Sequence, residues 1–192
     1  FFILSKGECG GSPSARERES ILAAKILGVN LEFGGFKDTR ISHGRELIDA
    51  IAERLLAQTP SLLFVPTDKS AHQDHKSTYF SCLTALSLCS SRKRYIPQLS
   101  LAYPTPIMSF ESVHGFRPNV YEEITEVFEI KLKAMRAFKS EKQKAFMNSR
   151  LIKNVARQRA REVAHREFNS YGFYEGFELV MAVNSIRENR DL

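Results

Sequence analysis

Apolar positions along the chain fall into two rhythms. Short continuous apolar runs stand at residues 1–4 (FFIL) and 61–66 (SLLFVP), with a mixed run, NLEFGG, at 30–35. Runs of this length and composition suit strands buried on both faces, as in a parallel sheet. The segments between them carry helical spacing. Residues 16–28 (RERESILAAKILG) place Ile21, Ala24 and Leu27 on one face and end at Gly28, where a helix stop belongs. Residues 44–58 (GRELIDAIAERLLAQ) put Leu47, Ile48, Ile51 and Leu55 on one face. A third helix is predicted near 75–90, with Cys82 and Cys89 sharing a face. Strands alternating with helices predict an α/β fold with a mostly parallel sheet covered on both sides.

The rhythm changes after residue 90. Residues 95–104 (YIPQLSLAYP) predict a fourth strand interrupted at Pro97, and 104–119 a loop containing proline and glycine. Residues 119–124 (NVYEEI) suggest a short strand. Thr125 is placed to cap a helix bearing Val127, Phe128, Met135 and Phe138. Ser140 is placed to cap a longer helix through about residue 168, with Leu151, Ile152, Val155, Ala156, Ala160 and Val163 as its stripe. The aromatic tail 171–180 is expected to pack back on the core. No repeat or linker divides the chain, so residues 1–192 are expected to form one domain. The chain opens directly on a buried-strand sequence, which raises the expectation that its true N-terminus lies upstream.

Composition narrows this picture little. Twenty-eight basic against 22 acidic residues give a net charge of +6, which favours anionic partners without naming one. No apolar run reaches the length of a membrane-spanning helix. Cys9, Cys82 and Cys89 are too few and scattered for a disulfide framework, which suits a reducing, cytoplasmic setting.

Chemistry is expected where loops leave the carboxyl ends of parallel strands. The loops at 5–15, 34–42 and 66–74 do so, and they bring Glu8, Asp38, Arg40, His72, Asp74 and His75 to one edge, with Arg16 beside them. His75 would open a helix, whose positive end keeps an imidazole neutral and able to ligate a metal. Asp74 would either cap that helix or hold a histidine in one tautomer. Spacing alone leaves open a capped helix with two exposed histidines. His43 falls at a helix start, His114 in the long loop, and His165 on a solvated helix face. The basic run Arg150, Lys153, Arg157, Arg159, Arg161 and Arg166 reads as the outer face of an amphipathic helix with Glu162 and Glu167 as partners. Nucleic-acid contact is the rival reading, weakened by the lack of interleaved aromatics. GECGG has the wrong glycine spacing for a dinucleotide loop and lacks the Lys-Ser/Thr of a P-loop.

Together, FILSKGECGG, RERESILAAKILGV, FGGFKDTRI, LLFVPTDKSAHQDH, YEEITEVFEIKLKAMRAFKSE and RQRAREVAHREF…YGFYEGFELV resemble, in order, the LmbE-like or PIG-L family of zinc-dependent N-deacetylases. The resemblance implies a Rossmann-like three-layer fold with added C-terminal helices. It implies removal of an acetyl or related acyl group from an N-acetylglucosamine-type sugar or conjugate, with Zn2+ or another divalent metal, and often a ring-shaped homo-oligomer. His75 would be a metal ligand. His72 would serve the oxyanion or the leaving amine, with Asp74 tuning it. Arg16, Asp38 and Glu8 would grip the substrate. Gln73 stands where the family usually has proline, and Ser70 where some relatives have tyrosine. The family's first motif, His-Pro-Asp-Asp-Glu, is absent from the sequence; it would supply two further ligands and the general base upstream of Phe1. The alternatives are an inactive sugar-conjugate binder and, behind it, a nucleic-acid-binding domain.

Overall fold

A computed structural model describes residues 1–91, 105–110, 116–141, 149–164 and 172–181. Strand β1 (Phe2–Ser5) leads to helix α1 (Pro13–Leu27), β2 (Glu32–Phe36), α2 (Arg45–Gln58), β3 (Leu63–Pro66) and α3 (Gln73–Ser91). Then come β4 (Ile107–Phe110), β5 (Val120–Glu123), α4 (Phe128–Arg136), α5 (Ser149–Ala164) and β6 (Tyr174–Met181). The expected α/β alternation is therefore present through α3. Gly28 closes α1 in the left-handed region at φ 68°, its amide bonded to the helix's last carbonyls.

The strands form two groups. β1 pairs with β2 in parallel, and the second sheet runs β3–β4–β6–β5. β3–β4 is parallel, whereas β6 is antiparallel to both its neighbours. One apolar cluster unites the groups. Leu47, Ile48, Ile51 and Leu55 of α2 and Cys82, Ala85, Leu86 and Cys89 of α3 pack with Val65 and Ile107, bordered by Phe2, Leu4 and Phe36. A side chain at Gly34 would meet the Leu4 Cα at 3.2 Å and the Phe2 ring at 3.1 Å, so glycine permits the close β1–β2 approach. Burial pushes the Cys82 thiol up to about 12, in keeping with a packing role.

Several expectations need correction. Residues 95–104, the proposed fourth strand, lie outside the described residues. The fourth strand, β4, falls instead inside the segment read as a loop, and the aromatic tail is β6, an inner strand. Thr125 does not cap α4: its hydroxyl donates to Glu123 (2.9 Å) and accepts the Phe173 amide (3.0 Å). Ser140 lies in a short 3-10 turn and bonds the Glu19 carboxylate, and the next described helix starts at Ser149. On α1, Ile21 and Leu27 are exposed; Ala23 is the residue that packs against Ala134 and Ala137 near the end of α4. On α5, Arg159 is buried rather than solvated.

Candidate functional site

The loops after β1, β2 and β3 are joined by hydrogen bonds, as expected from the topology. Asp38 is the hub of the first junction. Its amide donates to Glu8 Oε1 (2.8 Å) and its carboxylate accepts the Cys9 amide (3.1 Å). That amide contact, above all, holds the Glu8 carboxyl below its usual range. Asp74 makes the second junction. Its two oxygens accept the amides of Thr39 (2.8 Å) and Ile41 (3.3 Å). Thr39 holds a positive φ of 62°, so this loop adopts a conformation that Asp74 helps to fix. Asp74 is buried, and each of its oxygens accepts one amide of the loop.

The helix cap comes from His72. Its Nδ1 accepts the Asp74 amide (3.2 Å), and its carbonyl accepts the Lys76 amide (3.4 Å). An Nδ1 that accepts carries no proton, so a neutral His72 ring keeps its proton on Nε2 and is a donor there. His75 is held differently. Its Nδ1 lies 2.9 Å from the Ser70 hydroxyl, and the same oxygen accepts the His72 amide at 3.2 Å. The two rings stack at 5.0 Å with 29° between their planes. Burial first, then the neighbouring His72, lowers the His75 pKa, which keeps the ring neutral near pH 7. The expected neutrality has burial, rather than the helix end, as its chief cause.

Asp38, His72 and Asp74 each place a possible ligand atom within 4.8 Å of the others. His75 is outside that group. Two carboxylates and an imidazole suit a divalent ion, zinc included. Within the group, His72 Nδ1 accepts the Asp74 amide, while the Asp74 oxygens, each accepting one amide, keep lone pairs for an ion. His75 has Nδ1 against the Ser70 hydroxyl, a group able to accept the N–H that a metal-ligating histidine donates and equally able to donate to a bare nitrogen.

The remaining candidates are less exposed to a ligand than expected. Arg16 forms an ion pair with Glu141 and donates to Gly10 O (3.1 Å), beneath the glycine-rich loop. Its side chain is 11% exposed, and its Nε is buried without a hydrogen-bond partner. Arg40 is exposed. His43 precedes α2, with Nδ1 2.9 Å from the buried Ser81 hydroxyl. His114 and His165 lie outside the described residues. Sequence reasoning missed Ser70, noticed only for not being tyrosine, and Thr39, whose amide receives the Asp74 clamp. A surface groove of about 440 Å³ is lined by Ile21, Val29, Leu31 and Phe33 of the α1–β2 region, away from this edge.

Residues 2–86 match the PIG-L family, described as GlcNAc-PI de-N-acetylase. Over those residues the chain is similar to the PIG-L family. The matched segment includes all of the loops just described. A diacetylchitobiose deacetylase of Thermococcus kodakarensis is 28% identical over 148 residues, covering 70% of this chain and 53% of the relative. The chain thus spans about half the length of that curated relative. Among solved structures, N,N'-diacetylchitobiose deacetylase from Pyrococcus horikoshii aligns with a TM-score of 0.74 at 20% identity, covering 93% of this chain and 71% of that one. GalB, the 4-carboxy-2-hydroxymuconate hydratase of Pseudomonas putida KT2440, aligns with a TM-score of 0.82 at 21% identity, covering 95% and 83%. At these identities the solved structures show the shared Rossmann-like α/β fold, and that fold carries a hydratase as well as deacetylases. No helix among the described residues is long and apolar enough to cross a membrane.

Proposed function

We propose that the protein carrying this chain is a metal-dependent N-deacetylase acting on an N-acetylglucosamine-type sugar or conjugate. One observation carries the proposal: inside the segment that matches the PIG-L family, His72 and His75 stack on each other with the Nδ1 of each hydrogen-bonded within the fold. His75, neutral and tied at Nδ1, would hold the metal through Nε2. The metal, zinc by family resemblance, would polarise the amide carbonyl and lower the pKa of a water when bound. His72 Nε2–H would donate to the developing oxyanion or to the departing amine. Asp74 would hold the 39–41 loop and, through it, Asp38. Asp38 and Glu8 would face the sugar, while Arg16 would support the glycine-rich loop they border.

The test is release of amine from an N-acetylglucosamine conjugate by the protein carrying this chain, with and without chelator. Loss with chelator and return with zinc is expected. His72→Ala is expected to lower kcat about 10²–10³-fold, the cost of removing one oxyanion donor. Retained activity in both His72→Ala and His75→Ala would overturn the assignment. The hydratase with the same fold supplies the second reading. Hydration of an unsaturated carboxylate without amine release would favour it. Sugar-conjugate binding untouched by chelator and without turnover would point to a binder.

A further inference from the structure

We infer that Glu141 is a positioning residue: acting through Arg16, it sets the glycine-rich loop that holds Asp38 in the candidate site. The inference rests on the reading of Asp38 and Glu8 as substrate contacts. Glu141 lies beyond residues 2–86, the segment that matches the family, in the short turn Lys139–Glu141 after α4. It is 5% exposed. Its carboxylate pairs with the Arg16 guanidinium near the start of α1. The same arginine nitrogen, Nη2, donates to the Gly10 carbonyl at 3.1 Å.

The loop lies directly on this guanidinium. A side chain at Gly11 would touch Arg16 Nε at 3.4 Å, and one at Gly7 would touch Nη1 at 3.8 Å. From the other side the loop is tied to Asp38, whose carboxylate accepts the Cys9 amide and whose own amide donates to Glu8. Cys9 and Gly10 are neighbours, so the bond from Arg16 and the bond to Asp38 act on adjoining residues. Asp38 in turn belongs to the group with His72 and Asp74 whose ligand atoms lie within 4.8 Å of one another. A guanidinium this far from water is held there by its carboxylate partner. Without Glu141 it gains by turning toward solvent, which releases the Gly10 carbonyl and loosens the loop over Asp38. Glu19 is committed elsewhere: it accepts the amide and the hydroxyl of Ser140 at 2.9 and 2.5 Å. That second tie joins the same turn to α1 one helical turn beyond Arg16. Adjacent residues of the turn thus carry a bond that fastens it and a bond that reaches the site.

The experiment reads the backbone amide NMR signals of Cys9, Gly10 and Asp38 in the protein carrying this chain. Wild type is compared with Glu141→Ala, Arg16→Met, the double variant and Ser140→Ala. Glu141→Gln, which keeps the volume and loses the charge, replaces the alanine variant if that one does not fold. Glu141→Ala and Arg16→Met are expected to shift the same three signals, and the double variant to match Arg16→Met alone. Ser140→Ala is expected to lower Tm and leave the three signals in place. In turnover of an N-acetylglucosamine conjugate, Glu141→Ala should raise KM about tenfold with kcat held, while Ser140→Ala leaves KM unchanged. Signals that stay in place in Glu141→Ala overturn the inference. So do shifts as large in Ser140→Ala, effects of Glu141 and Arg16 that simply add, or a KM that Glu141→Ala leaves unmoved. If the signals behave as expected but wild type releases no amine, the deacetylase reading falls and the tie from Glu141 to Asp38 stands. If wild type releases amine and Glu141→Ala moves neither signals nor KM, the inference falls and the deacetylase reading survives.

Discussion

Two buried polar networks in this molecule differ in how completely they close. Around Arg159 on α5, Nη1 donates to both Glu162 oxygens at 2.9 and 2.8 Å, and Nη2 reaches the Phe116 carbonyl at 3.2 Å. Tyr121 and Gln158 donate to the same carboxylate, at 3.1 and 3.2 Å. Charge meets charge, and the donors converge on one acceptor. At the loop edge, Asp74, His72, Ser70 and His75 are equally well tied from behind. Yet among the described residues their bonds use Nδ1 of both rings, and none reaches either Nε2. A closed network stabilises; one that fixes its members while leaving reactive atoms unengaged is organised for a ligand.

Removing Arg159 should have the largest effect on stability. Arg159→Ala removes the paired bonds to the half-exposed Glu162 carboxylate and is expected to cost about 3 kcal/mol, the upper range for hydrogen bonds to a charged group. Urea unfolding should show it, while the histidine NMR signals of the folded protein stay in place. A large shift in those signals would erase the separation between the two networks. Asp74→Ala comes next, at about 2 kcal/mol, since it strands two amides around a largely buried oxygen pair. Its signature is local: hydrogen exchange should accelerate at Thr39 and Ile41 before the rest of the core. Uniform acceleration would mean that Asp74 belongs to the global core rather than to a latch on the site.

How much of this could be read from sequence depends on how local the cause is. The runs 1–4 and 61–66 and the α2 face were legible because burial there follows the apolar pattern directly. The face of α1 was not, because the contact with Ala134 and Ala137 uses Ala23 and leaves the larger Ile21 and Leu27 outside. The tail was recognised as core-packing, but its place as β6 depends on pairing with β4 and β5, which no local pattern encodes. Convergence of Glu8, Asp38, His72, Asp74 and His75 followed from topology. The separate partners of the two histidines did not, since they depend on the Ser70 hydroxyl meeting one Nδ1 and the Asp74 amide the other. The substrate role of Arg16 came from the family resemblance, and its ion pair with Glu141 lies too far along the chain for a local pattern to encode.

The smallest effect probes the open network by pH. Burial and His72 lower the His75 pKa from its ordinary 6.5. Below about pH 6.5 the unfolded chain takes up a proton at this position that the folded ring resists. Stability should therefore fall as pH drops from there, by at most about 1.4 kcal/mol per pH unit, until the folded ring also protonates. Above that pH the group contributes no slope. His75→Gln, which cannot protonate, should flatten this portion of the stability curve measured in metal-free buffer. Arg159→Ala should lower the whole curve without changing its slope there, because Arg159 stays charged throughout. If His75→Gln keeps the wild-type slope, the half-buried ring is not what resists the proton, and the contrast between the closed and the open network loses its electrostatic half.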